Sequence, residues 1–159
     1  MVLAVAVQIA VIGSGPEHEE RAEAVGRLLA ERGATLVCGG RDQVMAAAAR
    51  GAKARGGQTI GILPGESREE ANPWIDYVVV TGIGHARNLA VVASGEAVIA
   101  VGGAWGTLSE IALARVLGRP VVVLEPGWKV EGEGVYRAAT PEEAVDIALR
   151  LASSPGASG

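Results

Sequence analysis

Short runs rich in β-branched and apolar residues alternate along this chain with longer stretches in which apolar positions recur at helical spacing. The runs predict strands near residues 9–12, 35–38, 59–63, 75–80, 97–101, 120–124 and 135–138. Between and after them the spacing predicts helices over 16–31, 43–55, 85–94, 108–117 and 141–152. Strand and helix in alternation imply crossover connections, so the expected fold is α/β: a doubly wound, mostly parallel sheet with helices on both faces.

Two helices carry clear local signals. The first places Ala22, Val25, Leu28 and Leu29 on one stripe, with Glu17, Glu19, Glu20, Arg27 and Arg32 largely elsewhere, and Gly33 is placed to stop it. The last opens with Thr140 as its expected cap, Pro141 in the first turn and Glu143 three residues after the cap. The opening run MVLAVAVQIAVIG has no basic leading segment and is interrupted by Gln8, so it reads as a buried first strand rather than a signal or a membrane span. The ending SSPGASG is small and polar. One domain over residues 1–152 with a flexible tail at 153–159 is the expectation.

Composition narrows the function. At 159 residues and 49% hydrophobic, the chain suits one sizeable core, and its net charge of −4 argues against holding a nucleic acid polymer by bulk electrostatics. A single cysteine, Cys38, and two histidines leave no disulfide framework and no spaced zinc cluster, so no metal and a cytoplasmic setting are expected.

The glycines fall after strands: Gly13 and Gly15 after the first, Gly39 and Gly40 after the second, Gly65 after the third, Gly82 and Gly84 after the fourth, and Gly102, Gly103 and Gly106 after the fifth. In a parallel sheet these carboxyl ends share one edge, where open α/β sheets bind ligands. A dinucleotide fingerprint beginning Gly13-Ser14-Gly15 fails at His18, where close packing wants a small residue, and at Cys38-Gly39, where the ribose wants an acid. A P-loop is absent, and the two lysines, Lys53 and Lys129, lie off the glycine-rich edge, which disfavours pyridoxal phosphate. No resident cofactor is expected; a small phosphorylated ligand is.

The densest signal is VGGAWGTLSE, residues 101–110. Thr107 and Glu110 have capping-box spacing, the same as Thr140 and Glu143, but a capping box alone does not need Gly102, Gly103 and Gly106. Glycines at a helix amino end permit close approach to its unpaired N–H groups, which together make an anion pocket. Glu110, expected in the first turn, should be held ionised by the helix dipole. Arg87 and Asn88 begin another helix, where a cation opposes the dipole and wants a phosphate or a facing carboxylate such as Glu110. His85 is expected to cap or pack rather than bind metal. Trp105 is placed to stack on a base or to pack on a partner subunit.

Taken together, Arg87-Asn88, the segment CGGRDQVMAAAARGA and the motif Gly102-Gly103-x-x-Gly106-Thr107-x-x-Glu110 resemble the LOG-like Rossmann family, once labelled lysine decarboxylases. That family includes cytokinin riboside 5′-monophosphate phosphoribohydrolases. The resemblance runs from Ile9 to about Leu124 and implies a Rossmann-like fold, hydrolysis of the N-glycosidic bond of a nucleoside 5′-monophosphate, and a homodimer. It implies that Arg87 and Glu110 are the catalytic pair, and that Gly102, Gly103, Gly106 and Thr107 bind phosphate, with Gly13, Ser14, Gly39, Gly40 and Asn88 in the nucleotide site. The departures are Val101 for the motif's proline, Asp42 and Gln43 where relatives often carry glycine, and Asn88 for a lysine. These variations resemble the short subgroup that includes molybdenum cofactor carriers, for which the implied role is binding without turnover.

Overall fold

The computed structural model describes residues 5–124 and 129–153. Seven strands form one sheet: β1 (Gln8–Ser14), β2 (Thr35–Cys38), β3 (Thr59–Leu63), β4 (Tyr77–Val80), β5 (Ala97–Gly102), β6 (Val121–Leu124) and β7 (Val135–Ala138). Five helices connect or follow them: α1 (Glu19–Glu31), α2 (Val44–Ala54), α3 (Arg87–Ser94), α4 (Trp105–Val116) and α5 (Pro141–Ala152). The order across the sheet is β4-β3-β2-β1-β5-β6-β7, and every neighbouring pair is parallel. The chain winds outward from β1 to β4, then returns to lay β5 against the other side of β1. The doubly wound, Rossmann-like expectation is met, and the winding reverses between β1 and β5.

Side-chain alternation feeds two cores. Ile9 and Val11 of β1, Leu36, Ile99 and Val101 pack with α1, α2 and α5, while Ala10 and Ile12, Val37, Val98 and Ala100 pack with α3 and α4. Because both faces of the central strands are covered, they read as continuous apolar runs; all six residues of β5 are buried. Burying a valine or isoleucine in such a run contributes about 1.5–3 kcal/mol.

The helix stripe on α1 is realised, with Ala22, Val25 and Leu29 buried, and the chain turns at Gly33 with a φ of 76°. Two further glycines set how closely α1 meets α2. A Cβ at Gly26 would lie 1.9 Å from the Ala48 carbonyl oxygen, and one at Gly51 would lie 2.0 Å from that of Glu23. Other expectations shift at their boundaries. The predicted start of α1 at residue 16 is a separate 3-10 turn over Pro16–His18, and another such turn, Gly84–Ala86, precedes α3. The predicted tail lies, from residue 154 onward, outside the described residues. Among the described residues no helix is long and apolar enough to cross a membrane.

Candidate functional site

The carboxyl ends of β1 and β2 and the helices α2, α3 and α4 surround a cavity of about 60 Å³ lined by Gly13, Gly39, Met45, Arg87, Val91 and Glu110, among others. That volume accepts a few waters or one small anion, so anything larger than a phosphate group has to extend through the mouth. The cavity lies at the reversal between β1 and β5, the place the topology assigns to ligands.

Arg87 reaches this point from the first position of α3. Its Nη2 donates to the Gly39 carbonyl at 3.4 Å, and its Nη1 donates to Asn88 Oδ1. A Cβ on Gly39 would sit 2.7 Å from Arg87 Nη2 and 2.6 Å from Met45 Sδ, so the missing side chain at residue 39 is the space the guanidinium and thioether occupy. Asn88, expected in the nucleotide site, is buried at 7% exposure with its carbonyl turned to Arg87, and thereby orients the cation.

Glu110 faces Arg87 from α4. Burial is the main influence on its carboxyl and raises it from an ordinary value of 4.5 to about 7, against the opposing pull of the Arg87 charge. Desolvation lowers the Arg87 guanidinium from its ordinary value, while the charges of Glu110 and Cys38 act to raise it. The dipole-held, fully ionised Glu110 expected from the sequence is therefore corrected. Helix α4 starts at Trp105, placing Glu110 beyond the first turn, where the dipole has faded and burial dominates.

The same shift removes the expected capping box. The cap of α4 is Ala104, which makes no side-chain cap bond, and the first intrahelical bond runs from Leu108 N to Ala104 O at 3.1 Å. Thr107 lies inside the first turn, buried to 4%. Gly102 and Gly103 are required by their surroundings: φ is 60° and 125°, and Cβ atoms there would meet the His18 ring at 2.1 Å and Thr107 Cβ at 2.5 Å. Gly106 differs. Its φ is not positive, a Cβ there would meet nothing within 4 Å, and it stands in the first turn of α4, whose leading N–H groups have no intrahelical carbonyl.

The remaining predicted residues have definite places. Gly13 lines the cavity at a φ of 142°, and a Cβ there would lie 2.0 Å from the Val101 carbonyl oxygen, so its bareness seats β1 against β5. Ser14 ends β1, paired with Gly102. Gly40 takes a φ of 78° and its carbonyl accepts from Asn72 N at 2.9 Å. His85 is exposed in its 3-10 turn, and the cap of α3 is Ala86, which corrects the capping role expected for His85. Trp105 is 77% exposed at the start of α4.

Three contributors escaped the sequence reading. Met45 and Val91 line the cavity, and Asn72 fixes the second glycine loop by donating to the Arg41 carbonyl at 2.7 Å and accepting from Trp74 N at 3.0 Å. Met45 follows Gly39-Gly40 closely enough to have been found; Asn72 sits in a loop whose sequence gives no sign of where it folds.

An open, doubly wound parallel sheet with an arginine and a glutamate facing one another near its carboxyl edge defines a class of Rossmann-like α/β proteins. Within that class, the SLOG cluster4 family matches residues 6–153, and the chain belongs to this LOG-like family. Over 137 residues it is 36% identical to a cytokinin riboside 5′-monophosphate phosphoribohydrolase of Mycobacterium marinum, covering 80% of this chain and 73% of that one. Its structure is similar to the molybdenum cofactor binding protein of Rippkaea orientalis, with a TM-score of 0.85, 34% identity and 92% and 98% of the two chains covered. The molybdenum cofactor carrier protein of Chlamydomonas reinhardtii gives a TM-score of 0.86 at 31% identity, covering 94% of this chain and 100% of that one.

Proposed function

We propose that the crevice binds a small ligand bearing a phosphate monoester and hydrolyses the N-glycosidic bond of a nucleoside 5′-monophosphate, releasing the free base and ribose 5-phosphate. The carrying observation is the pairing of Arg87 with a desolvated Glu110 across one cavity. A carboxyl at about 7 is divided between its two forms near neutrality. In the ionised form, Glu110 stabilises positive charge on the ribosyl carbon as its bond to the base breaks, and orients the water whose oxygen takes that place. The phosphate sits at the amino end of α4 with Arg87 as its counter-charge. Gly106 supports this placement: folding does not require its bareness, whereas close approach of an anion to the backbone does. Incubation of the protein with AMP, followed by chromatography, is expected to yield adenine. Release no greater than that of a Glu110→Ala control defeats hydrolysis.

A second reading is carriage of a phosphate-bearing cofactor, such as molybdenum cofactor, without turnover. It is supported by chain coverage: this chain spans 98% and 100% of the molybdenum cofactor binding and carrier proteins but 73% of the hydrolase. Native mass spectrometry of protein purified from its own host separates the two readings. Carriage requires a retained ligand, and a protein that is empty and indifferent to added phosphorylated ligands excludes it.

A further inference from the structure

The first glycine loop, Gly13-Ser14-Gly15, lies at the same edge as the proposed phosphate place yet is built differently. In dinucleotide-binding sheets the loop after the first strand opens directly into a helix whose N–H groups hold a pyrophosphate. Here four features oppose that use. The Gly15 N–H already donates to Gln43 Oε1 at 2.8 Å. Pro16, which follows, has no N–H to offer. The Glu17 carboxylate lies over the loop, such that a Cβ built on Gly15 would be 2.9 Å from each of its oxygens. Helix α1 begins only at Glu19, and its first turn carries Glu19 and Glu20, which supply the negative charge that helix end favours.

Gln43 is held for this contact at a cost. It is the one non-glycine at positive φ among the described residues, with φ 55° and ψ −122°. It stands at the cap of α2 but makes no side-chain cap bond there, and its amide reaches across to the neighbouring loop instead. Backbone strain of this kind persists where surrounding contacts fix it.

We propose that Gln43, with Glu17 and Pro16, closes the first glycine loop to phosphate, making Gln43 a specificity-determining residue that restricts the crevice to one phosphate and rejects a pyrophosphate. The inference rests on the reading that a phosphate monoester binds at the amino end of α4, and it assigns the neighbouring loop the opposite role. A second phosphate seated on this loop would displace Gln43 Oε1 from Gly15 and come to rest beside the Glu17 carboxylate. The lost amide hydrogen bond and the like-charge contact with Glu17 both count against it.

The test compares wild type with a Gln43→Gly, Glu17→Gln double variant, in which glycine accepts the positive φ without strain and the fold is retained. Calorimetry with AMP and ADP should give a preference for AMP of about tenfold in wild type, the combined effect of one amide hydrogen bond and the Glu17 charge, falling below about threefold in the variant. The Gly15 amide resonance should be protected from exchange and unmoved by inorganic pyrophosphate in wild type, and should shift on its addition to the variant. Equal AMP and ADP affinity in wild type, a preference that survives both substitutions, or a wild-type Gly15 amide that responds to pyrophosphate would each overturn the closure. Failure of both nucleotides to bind wild type would instead remove the proposed function. The Gly15 resonance then still decides the closure by itself.

Discussion

Helices α4 and α5 carry one sequence pattern and put it to two uses. Thr140 makes the bond its spacing predicts, its Oγ1 accepting from Glu143 N at 3.1 Å, and Glu143 Oε2 reaches back one residue past the cap to accept from Ala139 N at 2.9 Å. Thr107 and Glu110, at the same separation, make neither. Glycines preceding Thr107 let the chain turn early, α4 starts at Trp105, and the threonine is swallowed by the first turn while the glutamate is carried to the cavity opposite Arg87. A capping motif is thus a statement about where a helix begins, and the same letters lose that meaning once backbone outside the motif moves the start.

The widest separation of the two helices is expected in turnover. On the proposed function, Glu110→Ala lowers the rate of base release from AMP by about 10²–10³-fold, as expected for loss of a charge aimed at the reacting centre, whereas Glu143→Ala leaves it unchanged. Equal losses in the two variants, measured by chromatography under saturating AMP, would break the contrast.

A smaller effect separates the carboxyls by pH. Between 4.5 and about 7 folded Glu110 keeps a proton that the unfolded chain has shed, so its contribution to stability is complete below 4.5 and is lost as pH rises through about 7. Glu110→Gln stays neutral throughout. Its stability relative to wild type should therefore grow across that window and level off above it, by on the order of 1–2 kcal/mol after allowance for solvent screening. Urea unfolding at pH 5 and pH 8 measures this, and a pH-independent difference contradicts it. Turnover, which needs the ionised form, should rise through the same window.

The smallest effects concern stability at the two helix starts. Thr140→Ala should cost about 1 kcal/mol as a lost cap, with phosphate affinity untouched. Gly106→Ala should do the reverse: a gain of about 0.5–1 kcal/mol from helix propensity and a weakened affinity for phosphate, because the added methyl meets ligand rather than protein. Unfolding curves combined with phosphate titration read both. Unaltered phosphate binding in Gly106→Ala would place the anion elsewhere.

Much of this molecule was legible in one dimension because the signals are local. The buried runs of β1 and β5, the stripe of α1 and the cap of α5 each depend on residues a few positions apart, so period and spacing are enough to find them. The gathering of glycines at one edge was legible as well, since parallel pairing forces all strand ends of one polarity to the same side. Individual glycine roles were not. Gly39 is bare to admit Arg87, Gly102 to admit His18 and Gly26 to admit Ala48, and each partner is distant in sequence.

The sequence by itself determined the alternation of strand and helix, the edge at which the glycine loops gather and the identity of Arg87 and Glu110 as the residues to watch. Only the tertiary structure decided where α4 begins, that Glu110 is desolvated rather than held ionised by a helix end, and that Gln43 is spent on Gly15. The physical reason is one of range. Hydrophobic period and turn chemistry act over a few residues, whereas desolvation and the filling of space beside a glycine are fixed by whatever the fold brings near.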